Sequence, residues 1–261
     1  MNRIDSAFKH LKAENQKGVI AYLTAGDPDL ETTEKLVLKL AESGAAMVEL
    51  GVPFSDPVAD GPVIQAASLR ALQQKVTLEN VLALAGRIRR KSDIPLLAMT
   101  YYNPVYSYGE SLFVKEALHS GLDGVIIPDL PLEESSPLRE KLLETGLHYI
   151  HLLAPTSSPA RVKATVKMAG GFIYCVSISG VTGARDGIPS TGLKLLKETR
   201  SLTSMPLALG FGISSPEQVR LLGDEADAVI IGSAIVKLIQ RGGTEKEILE
   251  RVGSFIESFQ E

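Results

Sequence analysis

Residues 46–62 read AMVELGVPFSDPVADGP, a short apolar run that passes into a loop rich in Gly, Pro and Asp. Glu49 lies at the end of the run, and Asp56 and Asp60 lie in the loop. A carboxylate that ends a strand, with further acids on the following loop, is the layout of an acid/base site rather than of a solvated surface. The same unit, an apolar run followed by a loop and an amphipathic segment, recurs along the chain and decides the fold.

Eight apolar runs are predicted to be strands. They are nearly continuous and lack polar alternation, which is typical of parallel strands covered on both faces. The runs are Gly18–Thr24, Ala46–Leu50, Pro95–Tyr101, Gly124–Pro128, Tyr149–Leu153, Phe172–Ser177, Pro206–Leu209 and Ala228–Ile231.

Helical patterns separate the runs, and one more precedes them. Leu36, Val37 and Leu40 repeat at helical spacing before Gly44, and Ile4 and Phe8 share one face of an N-terminal amphipathic helix. Eight βα units can form a closed barrel or an open doubly wound sheet. The 261 residues show no linker or break in composition. We therefore predict an α/β fold, a single (β/α)₈ TIM barrel over residues 1–261 with an extra N-terminal helix, since about 250 residues is typical of that fold.

Composition excludes several functional classes. The chain is 44% hydrophobic and 22% charged, with a net charge of −4, and its densest basic stretch, residues 87–91, closes a helical pattern. No apolar run approaches the roughly 18 residues of a membrane span, and the N-terminus is polar. The single cysteine, Cys175, permits no intramolecular disulfide. We expect a cytoplasmic protein without nucleic-acid or membrane partners.

Two glycine-containing turns indicate a phosphate site. Gly210-Phe211-Gly212 follows the seventh run, and Gly232-Ser233 follows the eighth. Barrels frequently bind phosphate with these two loops, because glycine lets the backbone approach an anion and helix starts present free N–H groups. Either turn alone is equally compatible with a tight strand-to-helix connection. Together, at corresponding places of adjacent βα units, they favour a phosphorylated ligand.

The three acids differ in what the residues alone indicate. Glu49 follows apolar residues and needs a partner or a function, since burial of a bare carboxylate is costly. Asp60 before Gly61 and Asp56 before Pro57 are also compatible with ordinary turn chemistry. The four histidines show no metal-ligand spacing, so we expect no metal.

Several motifs resemble those of the tryptophan synthase α subunit family. The stretch from Glu49 to Pro62 is similar to the family signature, and five further matches occur in family order over essentially the whole chain. These are Thr24-Ala-Gly-Asp-Pro28, Asp129-Leu-Pro-Leu-Glu-Glu-Ser135, Ser179-Gly-Val-Thr-Gly183, Gly210-Phe-Gly-Ile-Ser-Ser-Pro-Glu-Gln-Val219 and Gly232-Ser-Ala-Ile-Val236. The resemblance implies a (β/α)₈ barrel that cleaves indole-3-glycerol phosphate to indole and glyceraldehyde 3-phosphate. It also implies an α₂β₂ complex in which the indole passes to a β subunit for the synthesis of L-tryptophan. The β subunit alone would carry pyridoxal phosphate, and this chain would need no cofactor.

The resemblance also implies roles for individual residues. It implies that Glu49 is the general acid/base and that Asp60 accepts a hydrogen bond from the indole N–H. The apolar neighbours of Glu49 favour a raised pKa, and Asp60, beside Gly61 on its loop, is expected to stay ionised. Residues expected to line the substrate site are Tyr22, Met99, Tyr101, Pro128, Leu152, Tyr174 and Thr182. Residues expected to bind phosphate are Gly183, Phe211, Gly212, Gly232 and Ser233. Those expected to face the β subunit are Asp56, Asn103 and Pro104.

Three alternatives share parts of this pattern. One is another phosphate-binding barrel of amino-acid biosynthesis, although the Glu49 motif argues against it. Another is a barrel kept only as an allosteric partner of a β subunit, which the paired Glu49 and Asp60 disfavour. The third is a free-standing indole-3-glycerol-phosphate lyase, which would use the same chemical residues and differ only in lacking a partner.

Overall fold

Eight parallel strands pair side by side and close into a barrel in the computed structural model, which describes residues 1–177, 190–210 and 212–260. Each strand pairs with its sequence neighbours, and β1 closes the ring by pairing with β8. The strands are β1 Gly18–Thr24, β2 Met47–Gly51, β3 Leu96–Met99, β4 Gly124–Ile126, β5 His148–Leu153, β6 Ile173–Val176, β7 Leu207–Gly210 and β8 Ala228–Ile231. The predicted (β/α)₈ barrel is confirmed, and every predicted apolar run overlaps one of its strands.

Helices surround the barrel and fill the connections between its strands. The described α-helices are α1 Arg3–Ala13, α2 Leu30–Glu42, α3 Pro62–Gln73, α4 Leu78–Arg89, α5 Tyr102–Tyr108, α6 Glu110–His119, α7 Ser136–Glu144, α8 Pro159–Met168, α9 Ser190–Arg200, α10 Pro216–Arg220, α11 Ser233–Gln240 and α12 Glu245–Glu257. The β2 and β3 connections each hold two helices rather than one. None of the helices in the described ranges has the length and apolar character needed to cross a lipid bilayer.

Side chains alternate between the barrel interior and the surrounding helices, as successive residues of a strand must. The interior holds one apolar cluster, and the outward-facing residues join the helices in a second, larger one. The inward residues include Ile20, Met47, Leu97, Ile126, Ile150, Phe172 and Ala208. The interior is therefore a packed core below the site and not a channel.

The N-terminal helix α1 closes the amino-terminal end of the barrel. Ile4 is fully buried and Phe8 is 5% exposed, and the Phe8 ring lies 5.6 Å from the ring of Phe172 inside the barrel. Asn2 fixes the start of the helix, because its side chain accepts from the Ile4 amide and its Nδ2 donates to the Asp123 carbonyl oxygen at 2.8 Å. The predicted extra helix is thus a plug at the end opposite the carboxyl termini of the strands.

Candidate active site

A cavity of about 280 Å³ lies at the carboxyl end of the barrel. Seven residues proposed from sequence line it: Tyr22, Asp60, Met99, Tyr174, Gly212, Gly232 and Ser233. Larger grooves of about 570 and 660 Å³ lie elsewhere, one along the outer faces of α4 and α6 and the other at the closed end near Phe8 and Lys12. The carboxyl-end cavity is where the functional residues of such barrels converge, so it is the candidate active site.

Glu49 lies in the barrel wall beside this cavity with no exposed surface. On β2 it is in register with Tyr22 of β1, and the Glu49 charge acts on both Tyr22 and Tyr174. Neither carboxylate oxygen has a hydrogen-bond partner among the described residues. Burial without a partner disfavours the ionised form and raises the pKa of Glu49 from 4.5 to about 8. At neutral pH this residue is therefore a proton donor held in an apolar wall.

Asp60 lies on the rim of the same cavity, in the loop between β2 and α3. Burial raises its pKa from 3.8 to about 6, against the effect of a hydrogen bond from the Tyr101 hydroxyl, which lowers it. At pH 7 the carboxylate is mainly ionised. The sequence suggested an ionised aspartate but gave no indication that its pKa would be raised. The two carboxyl groups thus differ in protonation at neutral pH, which lets one donate and the other accept a proton.

Two glycines allow two tyrosines to lie flat against the barrel wall. A Cβ atom on Gly51 would lie 2.1 Å from the Tyr22 hydroxyl oxygen, and one on Gly210 would lie 2.4 Å from Tyr174 Cε1. Any larger residue at either position would displace a ring. Since both rings line the cavity and both lie near Glu49, these glycines set the shape of its apolar side.

The helices after β7 and β8 differ in how their first amides are used. At the start of α10, the Ser214 and Ser215 amides both donate to Gln218 Oε1, at 2.7 and 3.2 Å. At the start of α11, Gly232 provides no side-chain cap, and no described residue accepts from the amides of Ser233 or Ala234. The open helix start in the described cavity wall is therefore that of α11, where Ser233 and Ala234 both line the cavity.

Some proposed residues lie apart from the cavity. Tyr101 is not on its surface but contacts the Asp60 loop through its hydroxyl. Pro128 and Leu152 line a separate cavity of about 100 Å³ next to His151. Asp56 and Asn103 are exposed and Pro104 is half-buried, in the loop after β2 and in α5. Thr182, Gly183 and Phe211 fall outside the described residues, so their proposed roles stay predictions.

The cavity also contains residues that sequence reasoning did not identify: Ile64, Ile213, Ser214, Ile230, Ala234 and Lys237. Two of these residues could have been predicted from the periodicity of the strand or helix that carries them. Ile230 is two residues beyond the inward-facing Ala228, and Lys237 is four residues beyond Ser233 and therefore on the same face of α11. Ile64 comes from α3, a helix in the loop after β2 that was not predicted.

Within the described ranges no three His, Cys, Asp or Glu side chains converge as a metal ligand set. His148, one of the four histidines, instead contacts Asp5 through its Nε2 at 2.9 Å.

The fold and the site together define a (β/α)₈-barrel enzyme with two carboxyl groups of different pKa beside one cavity at the carboxyl end of the strands. A sequence model of the family "Tryptophan synthase alpha chain" matches residues 8–261. The chain is 48% identical over 261 residues to the tryptophan synthase alpha chain of Thermoanaerobacter sp. (strain X514), covering 100% of this chain and 99% of that one. It is 47% identical over 256 residues to that of Geotalea uraniireducens (strain Rf4), covering 98% and 96%.

Solved structures agree with the sequence comparisons. The tryptophan synthase subunit alpha of Legionella pneumophila superposes with a TM-score of 0.89 at 36% identity, covering 100% of this chain and 97% of that one. A chain of the tryptophan synthase a2b2 complex of Pyrococcus furiosus superposes with a TM-score of 0.88 at 40% identity, covering 93% and 97%. This chain belongs to the tryptophan synthase alpha chain family.

Proposed function

We propose that this chain cleaves indole-3-glycerol phosphate to indole and glyceraldehyde 3-phosphate by a retro-aldol reaction. The observation that carries the chemistry is the pair of carboxyl groups in different protonation states at one cavity. Glu49, with a pKa of about 8, holds a proton at neutral pH, and Asp60, with a pKa of about 6, is mainly ionised. A reaction that must add a proton at one atom and stabilise positive charge at another needs this combination.

In the first step Glu49 donates its proton to C3 of the indole ring. The ring becomes a cation whose charge is centred on the N1–H group, and the Asp60 carboxylate accepts a hydrogen bond from that N–H. Glu49 has no atom on the cavity surface, so its side chain must turn toward the cavity to reach C3. Tyr22 and Tyr174, which both line the cavity, are close enough to Glu49 for its charge to act on them, so the carboxyl group has only a short way to move.

In the second step the bond between C3 and the neighbouring hydroxyl-bearing carbon breaks. Its electron pair restores the neutral indole ring, and the hydroxyl loses its proton to the Glu49 carboxylate as the aldehyde forms. Glu49 is returned to its protonated form, so the cycle consumes no net proton. The roles of Gly212, Gly232 and Ser233 in holding the phosphate are supported by the open N-terminus of α11 and by their place in the cavity wall.

The direct test is release of indole from indole-3-glycerol phosphate, followed by absorbance or by gas chromatography. Loss of a general acid lowers rates by about 10²–10⁴-fold, so Glu49→Gln should lower kcat by that factor. Glu42→Gln, an exposed glutamate at the end of α2, is the matched control and should retain full activity. Wild-type protein that releases no indole, with or without a β subunit, would favour another phosphate-binding barrel or a non-catalytic partner. Full turnover in Glu49→Gln would exclude the proposed mechanism.

We further propose that the chain acts as one barrel domain in the cytoplasm, as the α subunit of an α₂β₂ complex in which only the β subunit carries pyridoxal phosphate. The similarity to a chain of the Pyrococcus furiosus complex supports a β partner. Exposed residues of the loop after β2 and of α5, namely Asp56, Val58 and Asn103, are candidates for that surface.

Mixing experiments separate this proposal from a free-standing lyase. Addition of a β subunit should raise the lyase rate, and the two chains should elute together in size-exclusion chromatography. Asp56→Asn and Asn103→Ala should weaken this association. An unchanged lyase rate and separate elution would favour the free-standing enzyme.

A further inference from the structure

The active-site cavity has one charged group of each sign among its described lining residues. Asp60 supplies the negative charge on the β2 side, and Lys237 of α11 supplies the positive charge. Lys237 is exposed and forms no ion pair or hydrogen bond with any described residue. An unpaired cation on the wall of a cavity is available to a ligand, whereas a lysine such as Lys35, which lies 2.8 Å from Glu245, is already paired.

The position of Lys237 on its helix directs it to the open amides. Ser233 is the first residue of α11, and Lys237 follows it by four positions, so both lie on one face. Long side chains on a helix lean toward its N-terminus, which carries the Lys237 ammonium toward the unpaired amides of Ser233 and Ala234. All three residues line the same cavity. A cation near a helix N-terminus opposes the helix dipole, so its place there is unfavourable unless an anion lies between them.

The neighbouring helix start offers no equivalent arrangement. The Ser214 and Ser215 amides of α10 are occupied by the Gln218 side chain. The cavity residues contributed by that segment, Gly212, Ile213 and Ser214, include no charged side chain. Of the two turns that the sequence presents as equivalent, the α11 turn therefore combines free donors with a full positive charge.

We propose that Lys237 is a phosphate-binding residue, which pairs with the phosphate monoester dianion of the substrate while the α11 amides bind its other oxygens. This proposal rests on the proposed function, since it assigns the charge that recognises the phosphate of indole-3-glycerol phosphate. Asp60 and Lys237 would then hold the two ends of the substrate, the indole N–H and the phosphate, and fix its direction in the cavity.

The test compares Lys237→Met with Lys237→Arg and with Lys246→Met, an exposed lysine on α12 that does not line the cavity. Loss of one charge-assisted contact should raise the KM for indole-3-glycerol phosphate about tenfold and change kcat much less. Lys237→Arg should restore most of the loss, and Lys246→Met should behave as wild type. Turnover of the phosphate-free analogue indole-3-glycerol should be the same in wild type and Lys237→Met, a result that a merely structural role would not give.

A second measurement does not depend on catalysis. Inorganic phosphate should raise the Tm of the wild-type protein relative to chloride at equal ionic strength, because a ligand that binds only the folded state stabilises it. Lys237→Met should lose most of that rise. An unchanged KM together with an unchanged phosphate-induced rise in Tm would overturn the proposal. A wild-type protein that binds phosphate through Lys237 but releases no indole would contradict the proposed function and leave this assignment standing.

Discussion

The Tyr101 hydroxyl accepts a hydrogen bond from the backbone N–H of Ala59 over 3.0 Å. The same hydroxyl donates to the carboxylate of Asp60, the next residue. The Tyr101 ring is 4% exposed and stacks on Phe54 with 5.2 Å between ring centroids. One buried tyrosine thus ties together the start and the end of the loop that carries Asp60.

Tyr101→Phe should impair the enzyme through Asp60. The hydrogen bond from Tyr101 lowers the pKa of Asp60, so its loss lets burial raise that pKa above about 6. The acidic limb of the pH profile of kcat/KM should then move up by about one pH unit, and kcat/KM at pH 6 should fall about fivefold. Measurement of that profile from pH 5 to pH 9 is the test.

Tyr102→Phe is the control for this change. The Tyr102 hydroxyl donates to Glu110 Oε1 at 2.7 Å, away from the cavity. Its removal takes away a hydrogen bond of the same kind without touching the Asp60 loop. If Tyr101→Phe and Tyr102→Phe gave the same profile as wild type, Tyr101 would not set the pKa of Asp60.

Glu49 should make stability depend on pH. Its pKa is 4.5 when solvated and about 8 when folded, so between these values the folded state holds a proton that the unfolded chain has lost. Its contribution is therefore fully present below pH 4.5 and is lost as the pH rises toward 8, by on the order of 4–5 kcal/mol in the free energy of unfolding. Urea unfolding at pH 5 and pH 8.5 should show that Glu49→Gln gains stability relative to wild type at the higher pH. Parallel curves for the two proteins would contradict the buried, unpaired state of Glu49.

Gly51→Ala should disturb the cavity wall. The new methyl group would lie 2.1 Å from the Tyr22 hydroxyl and 2.6 Å from Tyr22 Cζ, so the ring must move. Such overpacking costs about 1–3 kcal/mol. Gly86→Ala, in the middle of α4 with its nearest neighbour atom at 3.9 Å, should be neutral or stabilise by about 0.5–1 kcal/mol. Differential scanning calorimetry of both variants compares their Tm values. Equal values would show that the Tyr22 ring can move aside without loss of stability.

Arg70→Met should loosen the helix that follows the Asp60 loop. Arg70 of α3 binds Asp27 with two hydrogen bonds of 2.8 and 2.7 Å, and the Asp27 side chain is only 3% exposed. Loss of Arg70 leaves a buried carboxylate unpaired, at a cost of about 2–3 kcal/mol once its own partial exposure is allowed for.

The matched control is Arg161→Met. Arg161 contacts both oxygens of Glu133 at 2.8 and 2.9 Å, but the two side chains are 38% and 65% exposed. An exposed pair of this kind contributes less than about 1 kcal/mol. Equal denaturation midpoints for the two variants would mean that the buried Asp27 pair contributes no more to the free energy of unfolding than the exposed Glu133 pair.

The barrel could be predicted because its strands are buried on both faces and therefore appear as uninterrupted apolar runs. Gly18–Thr24 and Ala228–Ile231 were predicted with the ends that the structure gives them, and the other strands differ by one or two residues at an end. The third run extended too far because Thr100 and Tyr101 stay buried after the last strand pairing, at Met99. The chain stays buried beyond the last hydrogen-bonded residue of β3. The hydrophobicity of a sequence predicts burial and not hydrogen bonding, so it does not mark the end of the strand.

The site was predicted less completely, for two physical reasons. The open and occupied helix starts look alike in sequence, because the difference depends on the side chain of Gln218, which reaches back to two amides. The raised pKa of Asp60 depends on the depth of its loop, which is set by long-range contacts such as that between Ala59 and Tyr101. The depth of the Asp60 loop does not depend on local pattern, whereas Ser215 and Gln218 form a capping box that their three-residue spacing could have indicated. Lys237, by contrast, could have been found from its four-residue spacing to Ser233.

The plug formed by α1 restricts the route by which ligands enter and leave the cavity. With Ile4 and Phe8 sealing the amino-terminal end, the packed core below Glu49 leaves the carboxyl end as the one route into and out of the cavity in the described part of the chain. The substrate and both products must therefore pass through that one end of the barrel. The two products either leave one after the other or pass each other in the opening. Asp60 and the start of α11 both border this cavity, so the two ends proposed to hold the substrate face the same opening.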